Sequence, residues 1–191
     1  MSISRLAVYC GSAPGSDPAF ADAARALMLE MADRGIDLVY GGGRLGLMGV
    51  VADAVIEAGG EAYGVIPQAL VDLEVAHTGL TELHLVPNMH ARKAMMTELT
   101  DAFVAIPGGI GTLDELFEAW TWNALGYHAK PFAILNVDGF WDSMIAFLDD
   151  VTTSGFMSPA RRGQLLVSEG IEDAIEQLTA AVGTTEAKMV W

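Results

Sequence analysis

Short apolar runs rich in β-branched and aromatic residues recur along the chain, separated by polar or glycine-containing breaks. They fall at Leu6 to Tyr9, Leu38 to Tyr40, Ala62 to Ile66, Leu83 to Val86, Ala102 to Ile106, Phe132 to Leu135 and Leu165 to Val167. Continuous apolarity over three to five residues, without alternation, is the mark of a strand buried on both faces. Between most of the runs apolar residues return every three or four positions, as at Ala23, Leu27 and Met31, and at Val50, Ala54, Val55 and Ala58. Further stretches of this helical kind begin near Asn88, Thr112, Trp141 and Ile171. Alternation of strand and helix predicts an α/β fold, a doubly wound parallel sheet of about seven strands with helices on both faces. In that architecture ligands bind beyond the carboxyl ends of the strands, so the loops leaving the strands are where chemistry is expected.

The 191 residues suit one domain, placed over 1–182, with a looser C-terminal tail over 183–191. No internal repeat or linker interrupts it. Apolar residues make up 52% and charged residues 18%, ample material for a core. Ten Lys and Arg against 25 Asp and Glu leave a formal charge of -15, which disfavours nucleic acid or an anionic membrane surface as a partner. Any bound anion must be held locally. The single cysteine, Cys10, forms no intramolecular disulfide, and no stretch reads as a signal peptide or membrane span, so a cytoplasmic setting is expected.

Glycine is unevenly spread. One cluster, Gly41-Gly42-Gly43-Arg44-Leu45-Gly46, satisfies G-x-G-x-x-G after a strand and before a helix, with Gly42 and Gly43 the candidate ligand contacts and Glu61 at roughly the distance of a ribose-binding acid. A tight connection explains the same glycines. The second cluster, Pro107-Gly108-Gly109-Ile110-Gly111-Thr112-Leu113-Asp114-Glu115, runs from a strand directly into a helix. Its glycines free backbone N–H groups to meet an anion, and the helix dipole adds about half a positive charge there. Thr112-x-x-Glu115 also has the form of a capping box, but a cap does not require three preceding glycines, each of which costs entropy on folding. A third segment, Asn88-Met89-His90-Ala91-Arg92-Lys93, starts a helix with Asn88 as a natural N-cap. Between Gly35 and Ala129 the only cations are Arg44, Arg92 and Lys93, so the adjacent pair reads either as an anion clamp or as a solvated helix face.

Other chemistries fit poorly. His77, His84, His90 and His128 lack metal-ligand spacing with one another or with Cys10, and no metal is expected. No Walker lysine follows either glycine cluster. Ser12, just after the first strand, is a candidate phosphate or ribose contact. Met89, Met95, Met96, Trp120 and Trp122 suit either a base pocket or, better, core and subunit packing.

Taken together, the Gly41 to Gly49 cluster, Met89-His90-Ala91-Arg92-Lys93 and the P-G-G-x-G-T-x-x-E segment from Pro107 to Glu115 resemble the Lonely Guy (LOG) family, over about residues 4–180. Its members often carry the mistaken label lysine decarboxylase. The resemblance implies a Rossmann-like homodimer, without a cofactor, that hydrolyses cytokinin riboside 5′-monophosphates to free base and ribose 5-phosphate, with AMP hydrolysis common in bacterial relatives. It implies Arg92 and Glu115 as the catalytic pair, and Glu74, Lys93, Gly108, Gly109, Ile110, Gly111, Thr112, Leu113, Asp114 and Thr121 as substrate contacts. Asp114 stands where the family often has glutamate.

That chemistry agrees with the residues. Cleaving an N-glycosidic bond builds oxocarbenium character that a carboxylate stabilises while it orients or deprotonates water. A 5′-phosphate held at Gly108 to Thr112 places the anomeric carbon within reach of a carboxylate one helical turn further on. The rival readings are a non-catalytic nucleotide or cofactor carrier of the same fold, which has no need of both Arg92 and Glu115, and an NAD-dependent dehydrogenase. None of Lys93, Lys130 and Lys188 has a setting that suggests a Schiff base.

Overall fold

The computed structural model describes residues 2–71 and 76–183. Among these residues seven strands form one sheet: β1 (Arg5–Tyr9), β2 (Asp37–Tyr40), β3 (Ala62–Pro67), β4 (Glu82–Val86), β5 (Ala102–Ala105), β6 (Phe132–Leu135) and β7 (Leu165–Ser168). The order across the sheet is β4-β3-β2-β1-β5-β6-β7, with every neighbouring pair parallel. The expected doubly wound α/β fold is what the chain adopts. Its helices are α1 (Pro18–Asp33), α2 (Gly46–Glu57), α3 (Met89–Leu99), α4 (Ile110–Ala124), α5 (Asp142–Thr153), the short α6 (Pro159–Arg162) and α7 (Ile171–Ala181).

The unbroken apolar runs have the predicted cause. Along β1, Leu6 and Val8 join one core cluster with Leu27 and Met31 of α1 and Val51 and Val55 of α2. The intervening Ala7 and Tyr9 join the other, with Met96 of α3, Leu116 and Trp120 of α4 and Leu148 of α5. Each fully buried large side chain of this kind stabilises the fold by roughly 1.5–3 kcal/mol. Met96 and Trp120 thus belong to the core. Asn88 caps α3 as expected, its Oδ1 accepting from Ala91 N at 2.9 Å.

One boundary differs in a way that matters. Helix α4 starts at Ile110 and not near Thr112; its N-cap is Gly109, which has no side chain to cap with. Thr112 is therefore the third residue of the helix, and the capping box it was able to form from N-cap position is absent. The first intrahelical bond runs from Leu113 N to Gly109 O at 3.1 Å, leaving the N–H groups of Ile110, Gly111 and Thr112 without partners inside the helix.

Behind the sheet's other half, His128 is buried against the Phe103 ring, 5.4 Å between centroids, and its Nδ1 accepts from Lys130 N at 3.2 Å. Burial pushes its pKa from 6.5 down to about 4. Between these values the unfolded chain binds a proton that the native one does not, so stability falls as pH drops through the window and levels off below it. At 1.36 kcal/mol per unit the loss is about 3 kcal/mol. His128→Asn, which keeps an acceptor near the Nδ1 position, is expected to remove most of that acid sensitivity in urea melts at stepped pH. An unchanged dependence would show that other groups cause it.

Candidate active site

Because the chain runs outward from β1 to β4 and then returns to lay β5 beside β1, the loops leaving β1 and β5 diverge over the sheet. They are pinned at their base: Gly11 N donates to Pro107 O at 3.2 Å, and Gly11 O accepts from Leu47 N of α2 at 3.0 Å. Above this junction lies a cavity of about 350 Å³. One end is formed by Ser12, Gly109, Ile110, Gly111 and Thr112, so it is faced by the open N-terminus of α4. Arg92 and Glu115 both line it, and Val8, Cys10, Met48, Leu70 and Met89 supply an apolar wall.

Arg92 is the fourth residue of α3 and only 4% exposed. Its Nη2 donates to Gly41 O at 2.7 Å, and Nη1 lies 3.7 Å from Met89 Sδ. Glu115 stands on the first turns of α4 above the end of β1. The buried Cys10 thiol registers both charges: burial pushes its pKa well up, the Glu115 carboxylate adds to this, and the Arg92 guanidinium opposes it. Tyr9 is likewise held as the neutral phenol by burial, then by Glu115 and Glu118.

The glycines of the Pro107 segment do two different jobs. A Cβ on Gly108 would lie 2.1 Å from Thr112 Oγ1 and 2.9 Å from Gly11 N, so Gly108 permits close packing beneath the cavity and does not line it. The Thr112 hydroxyl is buried there without a hydrogen-bond partner among the described residues. Around Gly109 and Gly111 an added Cβ meets nothing within 4 Å. Protein packing does not ask for glycine at either position.

Several expected residues are placed elsewhere. Lys93 does not line the cavity; its Nζ reaches Asp114 Oδ2 at 3.1 Å and Glu118 Oε2 at 2.9 Å. Burial opposes its charge, but the hydrogen bonds it donates to Glu118 and Asp114 outweigh burial and hold its pKa above the usual lysine value. Asp114 does line the cavity, whereas Leu113 packs against the core. Thr121 lies further along α4, its Oγ1 donating to Phe117 O at 2.7 Å. Gly42 and Gly43 shape the turn instead of the lining: Gly42 has φ +77°, its carbonyl accepts from His77 N at 3.0 Å, and Gly43 bridges to Ala76. Glu61 precedes β3 at the amino edge of the sheet, where it accepts from the Tyr63 hydroxyl; the dinucleotide reading fails there. Glu74 lies outside the described residues. Met48 and Leu70 line the cavity without a signal in the sequence, and Gly41 lines it although only Gly42 and Gly43 of its cluster were expected to contact ligand. No group of three or more His, Cys, Asp or Glu among the described residues is arranged to hold a metal.

A family model described as possible lysine decarboxylase matches residues 48–178. The cytokinin riboside 5′-monophosphate phosphoribohydrolase LOG of Oryza sativa subsp. japonica is 44% identical over 187 residues, covering 98% of this chain and 77% of that protein. The cytokinin riboside 5′-monophosphate phosphoribohydrolase of Rhodococcoides fascians is 43% identical over 171 residues, covering 89% and 86%. The structure of the Moco carrier protein from Chlamydomonas reinhardtii superposes with a TM-score of 0.71 at 20% identity, covering 94% of this chain and 98% of that one, a likeness of fold. With two-fifths of its residues shared with these relatives along nearly its whole length, and with the family model spanning both segments that meet at the cavity, the chain belongs to the LOG family of cytokinin riboside 5′-monophosphate phosphoribohydrolases.

Proposed function

We propose that this protein hydrolyses the N-glycosidic bond of cytokinin riboside 5′-monophosphates, and of AMP, releasing free base and ribose 5-phosphate. The observation that carries the reading is the meeting of Arg92 and Glu115 in one cavity with the uncapped N-terminus of α4. The 5′-phosphate sits at that terminus, on the N–H groups of residues 110–112 and beside Ser12. Four residues on, Glu115 stands about 6 Å further along the helix axis, the span of a ribose. Water attacks C1′ as the bond to the base nitrogen breaks. Glu115 orients and deprotonates that water and stabilises the oxocarbenium character of the sugar, and the leaving base takes up a proton. Arg92 offsets the charge that phosphate and carboxylate bring into one pocket. The base lies toward Met48, Leu70 and Met89.

Two further elements belong to this reading. Ile110 is 83% exposed at the cavity mouth, and Leu113, Phe117, Thr121 and Trp122 continue from it along the outer face of α4. We read this face as the seat of a homodimer, in which Thr121, remote from its own cavity, makes the substrate contact that the resemblance implies for it by serving the neighbouring copy. The acidic charge and the buried, unpaired Cys10 suit a cytoplasmic enzyme without nucleic acid or membrane partners. Among the described residues no helix is long and apolar enough to cross a membrane.

Incubation with isopentenyladenosine 5′-monophosphate and with AMP, followed by chromatography, tests the proposal; free base is expected from both. Binding without release of base would support the carrier instead. Gly111→Ala separates phosphate binding from folding. The added methyl meets no protein atom and improves helix propensity, so stability is expected to rise by about 0.5–1 kcal/mol. The same methyl stands at the phosphate end, and KM is expected to rise about 10-fold, equivalent to 1.4 kcal/mol of lost binding. A stabilised variant with unchanged KM would move the phosphate elsewhere.

A further inference from the structure

The Arg92 guanidinium, carried on α3, crosses to the end of β2, 51 residues away in sequence, to reach the Gly41 carbonyl. It occupies the space of the side chain that Gly41 lacks. A Cβ built on Gly41 would lie 2.1 Å from Arg92 Nη2 and 3.1 Å from Cζ, far inside contact distance, while its next neighbour, Met48 Sδ, stands at an ordinary 3.4 Å. Gly41 is not among the glycines with positive φ, so its backbone places no demand for glycine. Arg92 alone makes that demand.

The other members of the G-x-G-x-x-G cluster answer to different neighbours. Gly42, at φ +77°, fits beneath the Leu83 side chain, and a Cβ on Gly46 would lie 2.4 Å from Ala13 N. Close packing against protein neighbours thus accounts for glycine at positions 41, 42 and 46 of the cluster.

We propose that Gly41 is a positioning residue of the active site: its missing side chain and its carbonyl oxygen together form a seat that fixes the Arg92 guanidinium against the cavity. The proposal rests on the catalytic reading of Arg92 for its effect on turnover. The seat itself does not depend on what reaction is catalysed. A buried guanidinium is held in one orientation only where acceptors and walls dictate it; here Gly41 O is an acceptor for Nη2, and the Met89 and Met48 thioethers stand beside it.

The test is a cycle of four proteins, wild type, Gly41→Ala, Arg92→Ala and the double variant, read by thermal melting and by kcat and KM on isopentenyladenosine 5′-monophosphate. Gly41→Ala is expected to lower kcat at least 30-fold and to lower the melting temperature. Arg92→Ala removes the clash, so the double variant is expected to melt above Gly41→Ala, and the alanine at 41 is expected to change kcat/KM less than 3-fold once Arg92 is gone. If Gly41→Ala does not fold, recovery of folding in the double variant upholds the seat and failure to recover overturns it. Full turnover by Gly41→Ala, or an equal loss of melting temperature in both Arg92 backgrounds, also overturns it. Should no protein in the cycle release base, the functional reading falls, and the melting temperatures still decide whether the seat exists.

Discussion

Glu115→Gln is expected to abolish release of free base, lowering kcat by about 10³-fold, within the 10²–10⁴ that a positioned general base supplies. Glutamine keeps the length, planarity and helix propensity of glutamate, and residue 115 lies on the first turns of α4 with a half-buried side chain that lines the cavity, so the fold is expected to persist. What changes is charge. The amide neither accepts a proton from water nor balances positive character at C1′. Binding is expected to move the other way. A carboxylate sharing a cavity with a phosphate repels it, so its neutral replacement is expected to hold the nucleotide as tightly as the wild type or more tightly. Calorimetric titration with AMP beside a chromatographic assay of base reads both quantities on one preparation. Retained turnover would remove Glu115 from the chemistry, and lost binding together with lost turnover would make it a structural residue.

How far the site was legible follows from what each signal was made of. The strands were legible because burial on both faces forces continuous apolarity, and the split of Leu6 and Val8 from Ala7 and Tyr9 between the two core clusters is that rule in space. Asn88 was legible because a cap acts within three residues. The start of α4 was not. Gly109 and Gly111 have the poorest helix propensity short of proline, and local reasoning therefore began the helix after them; the structure includes Gly111 in the first turn, leaving open space where its side chain would be.

Cations and glycines were only partly legible, for a related reason. Arg92 and Lys93 are neighbours in sequence, but adjacent helical residues point about 100° apart, so one enters the cavity while the other joins Asp114 and Glu118 on α4. The glycine motif at residues 41–46 was read either as a phosphate loop or as a tight connection, both of them short-range causes. For Gly41 the neighbour is long-range: its missing Cβ would meet an arginine 51 residues away, and no local window contains it. Glu61 met a spacing rule that presumes the motif follows the first strand, whereas here it follows β2 and the acid falls at the opposite edge of the sheet.

Arg92→Ala carries the second large effect, an expected fall in kcat of about 10²–10³-fold, the range for loss of one preorganised charge at a developing transition state. The side chain is buried, and its truncation leaves Gly41 O without its donor, but the vacated space adjoins an open cavity that water can fill. Stability is therefore expected to suffer less than turnover. Arg92→Lys keeps the positive charge but not the planar fork, and an ammonium on a flexible stem cannot reproduce the orientation that the Gly41 seat imposes, so kcat is expected to recover only in part. Chemical rescue isolates the guanidinium itself. Low concentrations of guanidinium chloride, well below those that unfold proteins, are expected to raise the turnover of Arg92→Ala by refilling the seat, and to leave Arg92→Lys and Glu115→Gln unmoved. Sodium chloride at equal ionic strength serves as the control. If the alanine variant turns over as fast as wild type, the charge at position 92 is not part of the reaction; if salt rescues as well as guanidinium, the contribution is a diffuse field and not a seated group.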